Sequence, residues 1–206
     1  PAPRVAACGP TLDEAESLQL LASAGVPVVP FRLCRTEAEA MAAFQELGGA
    51  VVVKGCSAAI PHKSEFDLVS VGIRDEAALR SSFAKVMRNL EARPEPWSGI
   101  IVARMISARH EMLIGVHVDP VFGPILVVGD GGKFVEAMRD TAVLPLPVVQ
   151  SDVRDALAKL RIAPLLRGGR GDEALDVAAF CKSAVAVAEL ARTGQVIALD
   201  VNPVML

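Results

Sequence analysis

A lysine and a histidine, eight positions apart, have the clearest potential for phosphate chemistry. Lys54 follows three valines at 51–53, a run that predicts a buried strand ending in a cation. A cation on a rigid strand can reach a bound phosphate. His62 lies after Pro61 in a loop of small residues, and an imidazole can accept and release a phosphoryl group near neutral pH. The alternative is a solvated lysine and a surface turn with an incidental histidine.

A carboxylate and a carboxamide near the end of the chain form a second candidate site. Asp200 and Asn202 lie two apart in a strand predicted at 196–203, so both side chains face the same side. Their hard oxygens suit Mg²⁺ that bridges nucleotide phosphates. Alternatively, the strand ends here and Asn202, before Pro203, only starts a turn.

A glycine-rich segment at 129–132 contains Gly131 and Gly132. Glycines let backbone N–H groups turn toward a phosphate. The segment matches neither the GxxxxGK[ST] loop nor a full GxGxxG pattern, which disfavours a P-loop NTPase and a dinucleotide fold. A tight hairpin explains the segment equally well.

The composition indicates a globular chain without a nucleic-acid surface. The 206 residues are 52% hydrophobic and 22% charged, with a net charge of -3 and scattered basic residues. No apolar run approaches the roughly 20 residues of a membrane span. The four cysteines lack metal-ligand spacing, so we expect reduced thiols in a cytoplasmic protein. The N-terminus lacks a signal peptide and resembles a cut end, so we expect a piece of a longer protein.

Periodicity and breaks predict two lobes, at 11–96 and 97–206, divided at the proline-rich segment 93–96. In the first lobe, Thr11 and Glu14 predict a capping box for a helix, Thr36 predicts the next cap and Asp75 the third. Strands are predicted at 26–30, 51–53 and 68–73. The second lobe is predicted to hold strands at 99–105, 111–118, 124–128 and 196–203, with helices at 151–160 and 173–192.

Taken in order, these segments resemble the ATP-grasp domain of the NDP-forming (ADP-forming) acyl-CoA synthetases, or acetate–CoA ligases, which are related to the succinyl-CoA synthetase β subunit. The matching segments are 25–27, 51–54, 60–65, 119–124, 131–136, 166–171 and 199–203. The resemblance implies an α/β (α+β) ATP-grasp fold, with a small α/β lobe and a mainly antiparallel β lobe with covering helices.

The resemblance also implies residue roles. His62 would be a transient phosphohistidine on a swinging loop, Lys54 would contact nucleotide phosphates, and Asp200 and Asn202 would hold Mg²⁺ on ATP. The other implied nucleotide-binding residues are Val102, Ala103, Arg104 and Met105 in a hinge strand against adenine, Glu111 near the ribose or the hinge, and Gly131 and Gly132.

In such enzymes the acid, ATP and CoA give acyl-CoA, ADP and phosphate. His62 would relay the phosphoryl group to a histidine on a CoA-ligase part, fused or separate, so this domain would be incomplete alone. The implied partners are the CoA-binding and ligase domains, with a small carboxylic acid and CoA as substrates and an oligomer as the full form. Neither nucleic acid nor a membrane is expected as a partner.

Five residues in three places depart from the family pattern. Phe66, Asp67 and Leu68 stand where many relatives carry a glycine pair, Ala103 replaces a glutamate, and Leu144 replaces an arginine. The sequence also ends at Leu206, before a strand that often supplies another metal-ligand aspartate. Two alternatives are therefore kept: a non-catalytic nucleotide-sensing module, and a carboxylate–amine ligase that forms an acyl-phosphate without a histidine relay.

Overall fold

The computed structural model describes residues 11–60, 62–132, 140–168 and 173–206. The chain forms two compact units, one made of residues 10–22 and 28–106 and the other made mainly of residues 107–206. Each unit contains a four-stranded antiparallel sheet. This architecture agrees with the expected mixture of α and β structure.

The first unit is an antiparallel sheet with helices on both faces. Its elements are α1 (Glu14–Ser23), β1 (Phe31–Cys34), α2 (Glu37–Leu47), β2 (Val51–Cys56), a 3₁₀ turn (Lys63–Phe66), β3 (Val69–Ile73), α3 (Glu76–Glu91) and β4 (Gly99–Arg104). The strand order is β1-β4-β2-β3. Val51 and Val53 of β2 face the main core with α2 and α3, whereas Cys56 shares a smaller cluster with Ala15 of α1. Strand alternation therefore places Lys54 on the α1 face.

The helix caps predicted for α2 and α3 are confirmed. Thr36 and Glu39 form a capping box, and the Asp75 side chain accepts from the Ala78 N–H at 2.8 Å. The expected Thr11 cap of α1 is wrong. Asp13 accepts from the Glu16 N–H at 2.9 Å, and Glu16 accepts from the Asp13 N–H at 2.9 Å. Since the helix begins two residues later than predicted, Glu14 is not needed for capping.

Strand β4 belongs to the first sheet, which corrects the expectation that it opens the second lobe. It pairs with both β1 and β2, and Val102 lies in the main core of this unit. Consequently the two units divide near residues 106 and 107, about ten residues after the expected boundary at 96 and 97.

The strand predicted at 26–30 is also wrong, since β1 begins only at Phe31. Pro27 and Pro30 have no backbone N–H to donate to a ladder. The Pro30 carbonyl nevertheless accepts the Arg104 N–H at 2.9 Å. The apolar residues before β1 are thus an extended entry to the strand.

The second unit is a sheet covered by helices. Its elements are β5 (Glu111–Asp119), β6 (Gly123–Asp130), β7 (Thr141–Pro145), α4 (Gln150–Leu157), α5 (Ala163–Leu166), α6 (Val177–Arg192) and β8 (Ala198–Met205). The strand order is β7-β6-β5-β8. Helix α6 buries Phe180, Ala184 and Val187 and contacts β5 and β6. Strand β7 was absent from the prediction, and α6 starts four residues later than expected.

Asp140 fastens the turn between α4 and α5. Its carboxylate is 8% exposed and accepts from the backbone N–H groups of Arg161 and Ile162 at 3.0 and 2.9 Å. Burial acts to raise the pKa of Asp140, but these hydrogen bonds and the Arg161 charge outweigh it and hold the pKa below its ordinary value.

We expect Asp140→Asn to lower the free energy of unfolding by about 1–3 kcal/mol, because an amide offers one acceptor oxygen where the carboxylate offers two. A depressed folded-state pKa contributes stability above the unfolded pKa that is lost as the pH falls through the folded value. The difference from wild type should therefore persist from pH 7 to the ordinary value of 3.8 and shrink below it. Urea unfolding followed by circular dichroism tests this. A stability difference that instead grew on acidification would contradict it.

The described cysteines Cys34, Cys56 and Cys181 are buried free thiols. Burial raises the pKa of Cys34 and of Cys56 to about 11, so neither is a thiolate nucleophile near neutral pH. Among the helices in the described part of the chain, none combines the length and apolarity that crossing a bilayer requires.

Candidate functional site

A Glu14 carboxylate joins two lysines in the first unit. Lys54 lies within β2, opposite Ile101 of β4 and Val69 of β3, rather than at the strand's end as predicted. Its Nζ donates to Glu14 Oε1 at 2.9 Å, while Lys63 Nζ donates to Glu14 Oε2. The three side chains are partly buried, with exposed fractions of 26% for Glu14, 32% for Lys54 and 15% for Lys63.

Glu14 stays ionised in this cluster. Burial acts to raise the pKa of Glu14, but the charges and hydrogen bonds of Lys54 and Lys63 outweigh that effect and lower the pKa below its ordinary value. Two cations and one anion leave the cluster with a net charge of about +1 near neutral pH. It is therefore suited to an anionic ligand.

His62 borders the same cluster. It precedes the 3₁₀ turn, its ring does not cap that turn, and the residue is exposed. Glu14, Lys54, His62 and Lys63 line one open cavity of about 420 Å³. The structure thus brings Lys54 and His62 together and adds Glu14 and Lys63, for which the sequence predicted no role in the site.

Phe66 and Asp67, at the C-terminal end of the segment that carries His62, are held by α3 and by Arg93 just after it. The Arg93 guanidinium lies 3.7 Å from the centroid of the Phe66 ring. Lys85 pairs with Asp67 at 2.9 Å, and Asn89 Nδ2 donates to the Asp67 carbonyl at 3.1 Å. Leu68 is fully buried. Phe66, Asp67 and Leu68, the residues expected to replace a glycine pair, therefore restrain the C-terminal end of the segment that carries His62.

The predicted hinge residues occupy different environments. The Val102 side chain is fully buried in the main core, and Ala103 is 4% exposed. The Arg104 guanidinium donates to the Leu47 carbonyl at the end of α2, with its Nε at 2.9 Å. Met105 is 42% exposed, and its N–H donates to the Ala50 carbonyl. Of these four residues, Arg104 and Met105 are therefore the ones whose side chains are exposed to a ligand.

Four predicted residues meet in pairs in the second unit. The Gly132 N–H donates to Asn202 Oδ1 at 2.9 Å, and the Gly131 N–H donates to the Glu111 carbonyl at 3.0 Å. A Cβ on Gly131 would lie 2.5 Å from the Met112 backbone, and one on Gly132 would lie 2.5 Å from Glu111 Oε2. Side chains at these glycines would displace the ribose-contacting candidate Glu111 or the strand beneath it.

Asp200 and Asn202 lie on the exposed face of β8. The residues opposite Asp200 include Gly115, where a Cβ would lie 3.6 Å from Asp200 Oδ1. The protein around the Asp200 carboxyl partly desolvates it, which raises its pKa. In the described part of the chain no three acidic, histidine or cysteine side chains cluster as a metal site.

This pair fits a magnesium ion that arrives with a nucleotide. Two oxygen ligands fall short of the six that Mg²⁺ takes, and Mg²⁺ keeps several waters while also binding substrate phosphates. One carboxylate and one carboxamide are therefore an adequate protein contribution. The predicted matching stretches at 133–136 and 169–171 lie outside the described residues.

The ATP-grasp domain family matches residues 5–206. This match over nearly the whole chain places it in the ATP-grasp family, and the two antiparallel sheets agree with that fold.

Two relatives are similar in sequence over nearly the whole chain. Acetate–CoA ligase [ADP-forming] I subunit beta of Pyrococcus furiosus is 32% identical over 197 residues, covering 94% of this chain and 84% of that subunit. The 4-hydroxybutyrate–CoA ligase [ADP-forming] of Nitrosopumilus maritimus is 30% identical over 96% of this chain, which spans only 29% of that enzyme.

Solved structures of one archaeal enzyme are similar throughout the chain. Acetyl-coenzyme A synthetase 1 of Ca. Korarchaeum cryptofilum, described as dinucleotide forming, matches with a TM-score of 0.88 and 30% identity over 94% of this chain and 86% of the other. Another of its structures contains coenzyme A and Mg-AMPPCP, with a phosphohistidine segment pointing towards the nucleotide-binding site. That structure matches with a TM-score of 0.79 and 29% identity over 93% of this chain and 84% of the other.

Proposed function

We propose that this chain is the ATP-binding, phosphoryl-transferring part of an ADP-forming acyl-CoA synthetase. The observation that carries the proposal is the single cavity that Lys54 and exposed His62 share in the first unit. The full enzyme would convert a small carboxylic acid, ATP and CoA into acyl-CoA, ADP and phosphate, and the CoA-ligase part would lie on another domain or subunit.

In the proposed step, a ring nitrogen of His62 attacks the γ-phosphorus of ATP. The nitrogen–phosphorus bond forms while the bond to the bridging oxygen breaks, and ADP leaves with the electron pair. The ring then loses its other N–H proton to solvent. The exposure of His62 supports this role, because a histidine that passes its phosphoryl group onward must be accessible.

Lys54 and Lys63 would stabilise the negative charge that spreads over the transferring group. Both ammonium groups lie on the cavity that His62 lines, and each is partly buried, where electrostatic interactions are stronger than in bulk water. Lysine acts on phosphate as a point charge and needs no bidentate geometry.

The second unit would supply nucleotide and metal contacts through Glu111, Gly131, Gly132, Asp200 and Asn202. Mg²⁺ bound with ATP would neutralise phosphate charge and fix the orientation of the transferring group. The protein's own part would be to present the Asp200 carboxylate and Asn202 Oδ1, the latter already oriented by the Gly132 N–H at 2.9 Å.

Incubation of the purified chain with Mg²⁺ and γ-³²P-ATP tests the proposal. We expect a label that is labile in acid and stable in alkali, as for phosphohistidine, and that maps to the peptide containing His62. If ATP binds without labelling, the experiment is repeated with the CoA-ligase part added. Absence of label under both conditions would refute the phosphoryl-transfer role.

A second candidate is a nucleotide-sensing module that keeps the fold without the relay. The observation that favours it is the anchoring of Phe66 to Arg93 and of Asp67 to α3, which restrains one end of the His62 segment. A sensor would bind ATP and take no label in either arm of the same experiment. The acid-labile label would exclude it.

A further inference from the structure

We infer that Glu14 is a positioning residue that holds the His62 segment beside Lys54 through a charge latch, and that phosphorylation of His62 opens this latch. The inference rests on the proposed function. The latch is defined as Glu14, Lys54 and Lys63.

The geometry gives Glu14 a bridging position. Lys54 is fixed in β2, whereas Lys63 immediately follows His62 in the segment. One Glu14 oxygen accepts from Lys54 at 2.9 Å and the other accepts from Lys63. A single carboxylate on α1 thereby ties the residue next to the candidate histidine to the strand that bears the candidate phosphate ligand.

Glu14 is available for this role because its side chain is not needed to cap α1. Asp13 and Glu16 complete the capping box, so Glu14 at the first helical position has both oxygens free to accept from lysines. Its partly buried position makes the two ion pairs stronger than pairs in open solvent.

Charge provides the release. Before transfer, two lysines and one carboxylate give the latch a net charge of about +1. A phosphoryl group on His62 adds a charge of about −2, as phosphorylation does elsewhere near neutral pH. The phosphoryl oxygens then compete with Glu14 for both ammonium groups and repel its carboxylate. Lys63 then pairs with the phosphoryl group, and its ion pair with Glu14 is lost. The loss coincides with the stage at which phosphorylated His62 must move to pass its phosphoryl group onward.

The segment that carries His62 is anchored at both ends and tied to Glu14 between them. Its C-terminal end is held by Arg93 at Phe66 and by α3 at Asp67, and its N-terminal end is fixed where Ser57 Oγ donates to the Pro96 carbonyl at 2.6 Å. Within these limits the Lys63–Glu14 ion pair is a side-chain tie next to His62 itself. Breaking it frees the histidine without unfolding the anchors.

The test compares Glu14→Gln, Lys63→Gln and the double variant in γ-³²P-ATP labelling and in ATP binding. We expect each single variant to label His62 about 10- to 100-fold more slowly, as for a misplaced reacting group. The double variant should be no slower than Lys63→Gln alone, because Lys63→Gln already removes the tie together with the lysine charge beside the transferring group. ATP affinity of Glu14→Gln should stay within about threefold of wild type, since Lys54 is retained.

The matched control is Glu76→Gln. Glu76 is the first residue of α3 after its Asp75 cap, as Glu14 is the first residue of α1 after Asp13, and it is exposed. The control should label at the wild-type rate. Labelling of Glu14→Gln at the wild-type rate would overturn the latch. Equal fold losses in ATP affinity and labelling rate would also overturn it, because Glu14 would then act only on nucleotide binding.

Hydrogen–deuterium exchange separates a failed latch from a failed phosphoryl-transfer function. The Glu65 N–H donates to the His62 carbonyl at 3.1 Å, and the Leu68 N–H donates to the Lys63 carbonyl at 3.0 Å. Without nucleotide, these amides should exchange faster in Glu14→Gln than in wild type and Glu76→Gln. Unchanged exchange would overturn the latch, whether or not wild type takes a label.

Discussion

Replacing His62 with alanine is expected to abolish ³²P labelling of the chain while leaving its affinity for ATP within about threefold of wild type. The imidazole is the nucleophile in the proposed step. The other nitrogen-bearing side chains among the described residues that line the cavity are lysines, whose ammonium groups have no lone pair with which to attack phosphorus. The exposed ring contributes little to packing, so the variant should fold normally. Filter-bound label and calorimetric ATP binding measure the two quantities.

His117→Ala is the matched control. His117 is also an exposed histidine, but it lies in β5 of the other unit and is not among the described residues that line the cavity of Lys54 and His62. This variant should retain the full label. Undiminished label in His62→Ala would move the nucleophile to another residue. Loss of label in both variants would point to a general loss of folded protein, which circular dichroism would detect.

The elements that were predictable from the sequence carry strong local signals. The Thr36 and Asp75 caps, the valine strand and the apolar periodicity of α3 all depend on neighbours within a few positions. The fold family followed from the order of several short motifs rather than from any one of them, and the match over residues 5–206 confirms it.

The errors arose where non-local packing decides between local options. Both Thr11 with Glu14 and Asp13 with Glu16 fit a capping box, and the Ser98 hydroxyl that donates to Asp13 selects the second from 85 positions away. Strand β4 follows a break in the sequence but finds its partners in β1 and β2. Likewise, β7 is short and its pairing with β6 is tertiary.

The same cap ambiguity concealed Glu14. An acidic residue near a helix start has an ordinary local explanation, and only the folded chain brings Lys54 and Lys63 to its two oxygens. The second possible capping box, formed by Asp13 and Glu16, was the available signal. Glu14 would have been free under that choice.

The other large effect is expected at the candidate metal site. Asp200→Asn should weaken ATP-dependent labelling on the order of 100-fold, comparable to the loss of one preorganised electrostatic group. Asp200 is a cleaner test than Asn202, because Asn202 Oδ1 also accepts the Gly132 N–H and its replacement would disturb the glycine segment. The substitution keeps the shape of the side chain, removes its charge and replaces one acceptor oxygen with an NH₂ group.

Comparing ATP binding with and without Mg²⁺ shows whether Asp200 acts on the metal or on the nucleotide. If the Asp200 carboxylate binds Mg²⁺, Asp200→Asn should weaken binding of ATP measured with Mg²⁺ and leave binding measured in EDTA nearly unchanged. Raising the Mg²⁺ concentration should recover part of the labelling rate. Asp155→Asn, which removes an exposed carboxylate from α4, should change neither quantity. Equal weakening with and without Mg²⁺ would instead assign Asp200 to the nucleotide or to the fold, and would leave the metal to other ligands.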